Sequence, residues 1–125
     1  MRRVLIVADD TFIVRAICLA LRRAAGLEVV GAVDGRGPVG AQLLELHPHV
    51  VIVDDMENPD DALARLREVA EVAPGTTALL LTLRRGDGWV DQALEAGAQT
   101  VLSKTMHPAA LGAVLRSASR RLTAD

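Results

Sequence analysis

The sequence predicts an α/β fold with one open parallel sheet covered by helices on both faces. Two features predict it. Short apolar runs alternate five times with segments of helical period, and the runs are continuous instead of alternating, as in strands buried on both sides. The chain has 125 residues and half are apolar, enough for one domain with its own core.

The strand candidates are Val4 to Val7, Val29 to Val33 (broken by Gly31), Val50 to Val53, Ala78 to Leu81 and the weaker Thr100 to Leu102. Between them the period changes to that of a helix. Ile13, Val14, Ile17, Cys18 and Leu21 form one stripe, with Arg15, Arg22 and Arg23 on the other side and Gly26 as a stop. Val39, Leu43 and Leu46 mark a second helix that must end before Pro48. Leu63, Leu66, Val69 and Ala70 mark a third, closed by Pro74 and Gly75. Val90, Ala93 and Leu94 mark a short fourth ending at Gly97. Pro108 opens a fifth, with the stripe Leu111, Val114, Leu115, Ala118 and Leu122. Right-handed crossovers turn five strand-helix units into an open parallel sheet.

The totals narrow the function. A formal net charge of −2 gives no bulk attraction for nucleic acid, and the arginines of RRGDG and RSASRR read as solvated faces. The single cysteine, Cys18, sits in an apolar stripe and reads as a buried thiol in a reducing, cytoplasmic setting. No apolar stretch approaches the ~20 residues of a membrane span. His47, His49 and His107 have no ligand spacing with Cys18 and read as surface or turn residues. Trp89 is the one tryptophan, either a partner contact or a partly buried anchor.

In open sheets of this kind, ligands bind beyond the carboxyl ends of the strands. Asp9 and Asp10 follow the first strand, Asp54 and Asp55 the third, Thr82 ends the fourth, and Ser103 and Lys104 follow the fifth. Carboxylates from separate strands suit a hard cation such as Mg²⁺, with Lys104 as a compact second positive charge. An aspartate can attack phosphorus, and phosphoryl transfer otherwise needs placement and charge neutralisation. The stretch VIVDDMENPDD carries five acids in eleven residues. Asp55, Glu57, Asp60 and Asp61 read as solvated acids or caps of the third helix.

RVLIVADDTFIVR, VVIVDD, LLLT, EAGAQTVLSK and HPAAL together resemble the receiver domain of two-component response regulators, along the whole chain. Asp54 lies 44 residues after Asp10, Thr82 lies 28 after Asp54, and Lys104 lies 22 after Thr82. Those intervals are similar to receivers of the NarL/LuxR-type class. The resemblance implies a flavodoxin-like, doubly wound (βα)5 fold with strand order 2-1-3-4-5. It implies Asp54 as phosphoacceptor, and Mg²⁺ held by Asp9, Asp10, Asp54 and the Met56 backbone carbonyl. It further implies Thr82 as a hydrogen-bond donor to the phosphoryl group and Lys104 as partner of Asp54 or its phosphate. The implied phosphodonor is a phosphohistidine on a sensor histidine kinase. The implied output is a switch in homodimerisation or in an attached effector, a C-terminal DNA-binding domain if the chain is part of a longer regulator. Neither direct nucleic-acid contact nor membrane contact is expected, and the domain would assist its own phosphorylation and dephosphorylation without being a conventional turnover enzyme.

Several positions depart from the family pattern. The acceptor is usually followed by an apolar residue and then Met-Pro, but here Asp55, Met56, Glu57 and Asn58 precede Pro59. The residue after the hydroxyl is usually small; Leu83 is expected to obstruct access. The aromatic switch residue three before the lysine is replaced by Val101. These departures motivate an alternative, an atypical receiver that acts as a phosphorylation-independent interaction module. An aspartate-nucleophile phosphatase is disfavoured because Asp9 and Asp10 are adjacent, and a flavin protein because ADDTF is acidic where a phosphate loop is needed.

Overall fold

The computed structural model describes residues 1–86 and 88–124, with side chains as far as Ser117; the Ala118 and Leu122 positions of the fifth stripe lie outside the described side chains. Its elements run β1 (Arg2–Ala8), α1 (Thr11–Leu21), β2 (Leu27–Asp34), α2 (Gly40–Leu46), β3 (Val50–Asp54), α3 (Pro59–Val72), β4 (Thr77–Thr82), α4 (Trp89–Ala96), β5 (Ala98–Ser103) and α5 (Pro108–Ala124). All strand pairs are parallel and the order is β2-β1-β3-β4-β5, so strand order reverses at β1. The flavodoxin-like (βα)5 expectation holds in every strand.

Residue parity divides the core. Side chains alternate across a strand, so Val4, Ile6, Val50, Ile52, Leu79 and Leu81 join Ile17, Leu21, Leu111 and Leu115 beneath α1 and α5. Leu5, Val7, Val51, Val53, Ala78 and Leu80 join Leu43, Leu63, Leu66 and Ala93 beneath α2, α3 and α4. Both parities are apolar because both faces are covered. Each fully buried Leu, Ile or Val contributes roughly 1.5–3 kcal/mol of transfer free energy, which makes β1, β3 and β4 the rigid floor of whatever lies at their ends.

The outer strands differ from expectation. β2 and β5 are sheet edges, and only Leu27 in β2 and Ala98 and Leu102 in β5 are fully buried. Their one uncovered flank leaves Val29, Val30 and Val33 of β2 and Val101 of β5 half-buried and Ala32 exposed. Within β2 the register against β1 slips between Val4 and Leu5, which pair with Val29 and Gly31. A side chain at Gly31 would meet Leu46 Cδ1 at 3.1 Å, so the break in that apolar run marks a bulge pressed against α2.

The helix ends follow local chemistry. Asp10 caps α1 by accepting from Phe12 N at 2.7 Å. Asn58, not one of the neighbouring acids, caps α3 by accepting from Asp60 N, with Pro59 in the first turn beside Asp60 and Asp61. Val39 has no capping side chain, and Glu68 of α3 serves α2 instead, accepting from Val39 N and Gly40 N. His47 closes α2 in the left-handed region and His107 Nδ1 accepts from Ala109 N, as expected of turn residues. Cys18 is half-buried. The buried face of α4 is Trp89, Ala93 and Ala96, whereas Val90 and Leu94 of the expected stripe are 44% and 45% exposed. The stripe is rotated because the indole of Trp89, larger than either aliphatic group, takes the covered position. No helix among the described residues is long and apolar enough to cross a membrane.

Candidate functional site

The carboxyl ends of β1, β3, β4 and β5 meet in one acidic region whose only close cation among the described ion pairs is Lys104. Parity carries past the strand ends. Asp54 continues the Val50 and Ile52 side toward α1, as Asp10 continues Val4, Ile6 and Ala8. Thr82 continues the Ala78 and Leu80 side toward α4, and Asp55 joins it there.

Asp54 ends β3 with 2% exposure. Its Oδ2 accepts from Met56 N at 2.9 Å. Its Oδ1 lies 2.7 Å from Lys104 Nζ, yet no donor among the described residues is aligned to hydrogen-bond it. Asp54 therefore has one oxygen tied to the Met56 amide and one whose sole close partner among the described residues is the Lys104 ammonium. It borders an open depression of about 530 Å³ together with Asp9, Asp10, Thr11, Met56, Glu57 and Lys104.

The remaining expected ligands border this depression but are partnered. Asp9 Oδ2 accepts from Glu57 N at 2.9 Å, and Asp10 Oδ1 accepts from Phe12 N. Among the described residues no three ligating side chains stand close enough to cage a metal. The donor set instead fits Mg²⁺ in its usual manner, through one or two carboxylates and several waters. Two buried carboxylates, Asp54 and Asp55, share the single ammonium of Lys104, and that excess of negative charge is the observation that favours a further cation there.

Asp55 corrects the sequence reading. Expected to be a solvated acid or a cap, it is 5% exposed and its carboxylate is enclosed by donors. Thr82 Oγ1 donates to Asp55 Oδ2 at 2.6 Å, Leu83 N donates to the same oxygen at 3.3 Å, and Lys104 Nζ donates to Oδ1 at 2.5 Å. Asp55 N continues the sheet ladder to Leu81 O. The turn then passes through Met56, a non-glycine residue at φ 58°, whose side chain is buried against Gly35. This left-handed step costs of order 1 kcal/mol.

Thr82 has no unused capacity. Its hydroxyl donates to Asp55 and accepts from Arg84 N at 2.9 Å and from Trp89 Nε1 at 3.1 Å, filling one donor and two acceptor sites. Trp89 is thus an anchor, 8% exposed, and the guanidinium of Arg84 sits 6.0 Å from its ring centroid. Leu83, expected to obstruct access, is 61% exposed and lies outside the depression. Val101 is half-buried and packs against the core under α4.

The two neighbouring carboxyls titrate in opposite directions. Burial pushes Asp54 above its ordinary value, more than Lys104 and the Met56 amide pull it down. Burial also acts on Asp55, but Lys104, the Thr82 hydroxyl and the Leu83 amide outweigh it and hold the carboxyl below its ordinary value. Lys104 is raised: the two carboxylates overcome its desolvation. Lys104 is shared by the two carboxylates, and Asp54 differs in its other donors, one backbone amide against the hydroxyl and amide that Asp55 receives.

A family model described as the response regulator receiver domain matches residues 4–116. The chain belongs to the response regulator receiver family. Among curated proteins, protein-glutamate methylesterase/protein-glutamine glutaminase 2 of Cereibacter sphaeroides is 38% identical over 98% of this chain and 34% of its own length. The transcriptional regulatory protein LiaR of Bacillus subtilis is 27% identical over 96% of this chain and 57% of its own. The chemotaxis protein CheY of Thermotoga maritima is 28% identical over 95% and 98%. The chain thus spans about a third of the first of these relatives. Of solved structures, the NarL receiver domain from Mycobacterium tuberculosis aligns with TM-score 0.79 at 25% identity, covering 95% of this chain and 96% of its own. A CheY-like receiver from Methanospirillum hungatei aligns at 0.81 and 24%, covering 98% and 97%, a likeness of fold.

Proposed function

We propose that this receiver domain is a cytoplasmic phosphoacceptor that takes a phosphoryl group from the phosphohistidine of a sensor histidine kinase onto Asp54. The observation that carries this reading is the Oδ1 of Asp54, buried, beside Lys104 and free of any aligned hydrogen-bond donor. As Oδ1 forms its bond to phosphorus, the P–N bond of the donor breaks and its electron pair returns to the imidazole. The Met56 amide holds Oδ2 and fixes the carboxylate plane, and Lys104 neutralises charge on the transferring group. Mg²⁺ would be held in the depression by one or two of the Asp9, Asp10 and Asp54 carboxylates, the Met56 carbonyl and waters, and supplies further neutralisation of the phosphoryl oxygens when bound. Ionisation of Asp54 is favoured by the same cations. The output would be a change in homodimerisation or in an attached effector, a C-terminal DNA-binding domain if the chain is part of a longer regulator.

The test is incubation with Mg²⁺ and acetyl phosphate followed by intact mass. One added phosphoryl group in the parent protein and none in Asp54→Asn is the expected result; equal labelling of the two would reject Asp54 as acceptor.

A second reading has its own observation. Leu83, Val90 and Leu94 are large apolar groups exposed on and before α4, and Thr82 and Lys104 are already engaged by Asp55. An interaction module that works without phosphate would keep partner affinity and oligomeric state unchanged in Asp54→Asn, whereas the phosphoacceptor would lose its regulation.

A further inference from the structure

We propose that Asp55 is the resident anion of the phosphoryl cradle, a positioning residue that must leave before Thr82 and Lys104 can serve a phosphate. The proposal deepens the phosphoacceptor reading and rests on it for the identity of the incoming anion. Its basis is a count of donors. The Thr82 hydroxyl has one proton, and that proton is given to Asp55 Oδ2. Both acceptor sites of the same oxygen are filled by Arg84 N and Trp89 Nε1, so the hydroxyl cannot rotate to donate elsewhere without losing those bonds. The Leu83 amide has one proton, also directed at Asp55 Oδ2. Lys104 divides its ammonium between Asp54 and Asp55.

A carboxylate that accepts from a hydroxyl, a backbone amide and an ammonium fills the place an oxyanion ligand would take. Asp55 cannot itself be the acceptor in this arrangement, because both its oxygens accept hydrogen bonds and, unlike Asp54, it does not line the depression. No bond to Asp55 forms or breaks during transfer; it only yields its donors. Its displacement is possible because it stands at the end of β3, next to the left-handed step at Met56. Exchange of one anion for another at Thr82 also reaches α4, since the hydroxyl holds the indole of the helix's first residue. That path runs on the side of the sheet where Val101 supplies no aromatic ring.

The experiment uses the full chain, Asp55→Asn as the near-isosteric variant and Asp55→Ser as a second should the first fail to fold. The sole tryptophan is the reporter: its fluorescence and its indole N–H resonance are followed during titration with beryllium fluoride and Mg²⁺, and acetyl phosphate labelling is followed by mass. Apparent affinity is scaled by the fraction of molecules with a free cradle, so removing the competitor should strengthen binding and speed labelling about tenfold or more. Equal affinity and rate in parent and variant would overturn the proposal while leaving Asp54 as acceptor. Loss of labelling in Asp55→Asn with retention in Asp54→Asn would overturn both and make Asp55 the acceptor. If no protein labels, the phosphoacceptor reading fails, and the resident-anion claim is decided by the ligand-free spectra: the indole resonance must move in the Asp55 variants and return on adding millimolar inorganic phosphate. An unmoved resonance would overturn it.

Discussion

The two sides of the β3 end carry the same side chain in successive residues and yet differ in almost every electrostatic respect. On the α1 side, Asp54 borders an open depression with Asp9 and Asp10, has one oxygen without a hydrogen bond, and is pushed above its ordinary pKa by burial. On the α4 side, Asp55 is enclosed by Thr82, Leu83 N and Lys104 and stays below its ordinary value despite burial. The difference teaches that in this rim hydrogen-bond satisfaction is divided unequally between neighbours, which in the proposed phosphoacceptor separates the reacting group from the stabilising one. A fully satisfied carboxylate strengthens the fold; an under-satisfied one retains the free energy and the open oxygen that chemistry needs.

The largest test of this contrast removes the cation both acids share. Lys104→Met should cost about 3 kcal/mol in urea unfolding at pH 7, because it leaves two buried carboxylates uncompensated. The loss should shrink as the pH falls and they protonate. A loss unchanged between pH 7 and pH 4 would mean that packing, not charge, holds the rim.

Next in size, the two acids should respond with opposite sign. Asp55→Asn is expected to lower stability at pH 7 by about 2 kcal/mol, and Asp54→Asn to raise it by up to about 1 kcal/mol by removing an ionised group that burial disfavours. The linkage follows from the shifts. Asp55, lowered in the fold, contributes stability present above the unfolded value near 3.8 and lost as pH falls through its folded value. Asp54, raised in the fold, contributes stability present below 3.8 and lost as pH rises through its folded value. Melting curves of the parent and both variants from pH 3 to pH 8 in metal-free buffer check this; changes of the same sign would erase the contrast.

A smaller effect probes the turn that separates the two. Gly35→Ala places a Cβ 2.7 Å from both Met56 Sδ and Val7 Cγ1. Met56 is flexible but Val7 belongs to the rigid floor, so a loss of about 1–2 kcal/mol is expected by denaturant titration. The smallest effect is a control on the surface. Arg36→Ala removes an exposed bidentate pair with Asp34, whose carboxyl Arg36 holds down to about 2. No resolvable change in melting temperature is expected, because solvent screens exposed pairs.

Much of this was legible in the residues. Continuous apolar runs at β1, β3 and β4 marked strands covered on both faces, and the acids, threonine and lysine at their ends marked where chemistry would lie. The role of Asp55 was missed because composition assigns an acid beside Glu57 and Asp60 to solvent. A signal was present all the same: with Asp54 at the end of β3, counting parity sends Asp55 to the side of Val53, and Thr82 follows Leu80 to that same side. The α4 stripe failed for a different reason, since periodicity weighs Val90 and Leu94 as apolar without knowing that one indole would occupy the covered position.

By itself, then, the sequence determined the sheet, its order of elements and the set of groups at its rim, because hydrophobic period and strand ends are local properties of the chain. Which carboxylate received the donors, which kept an open oxygen, and how Thr82 came to join Asp55 to Trp89 were decided only by tertiary structure. Hydrogen-bond capacity is finite, and its allocation depends on which groups the packed strands bring within 3 Å of one another.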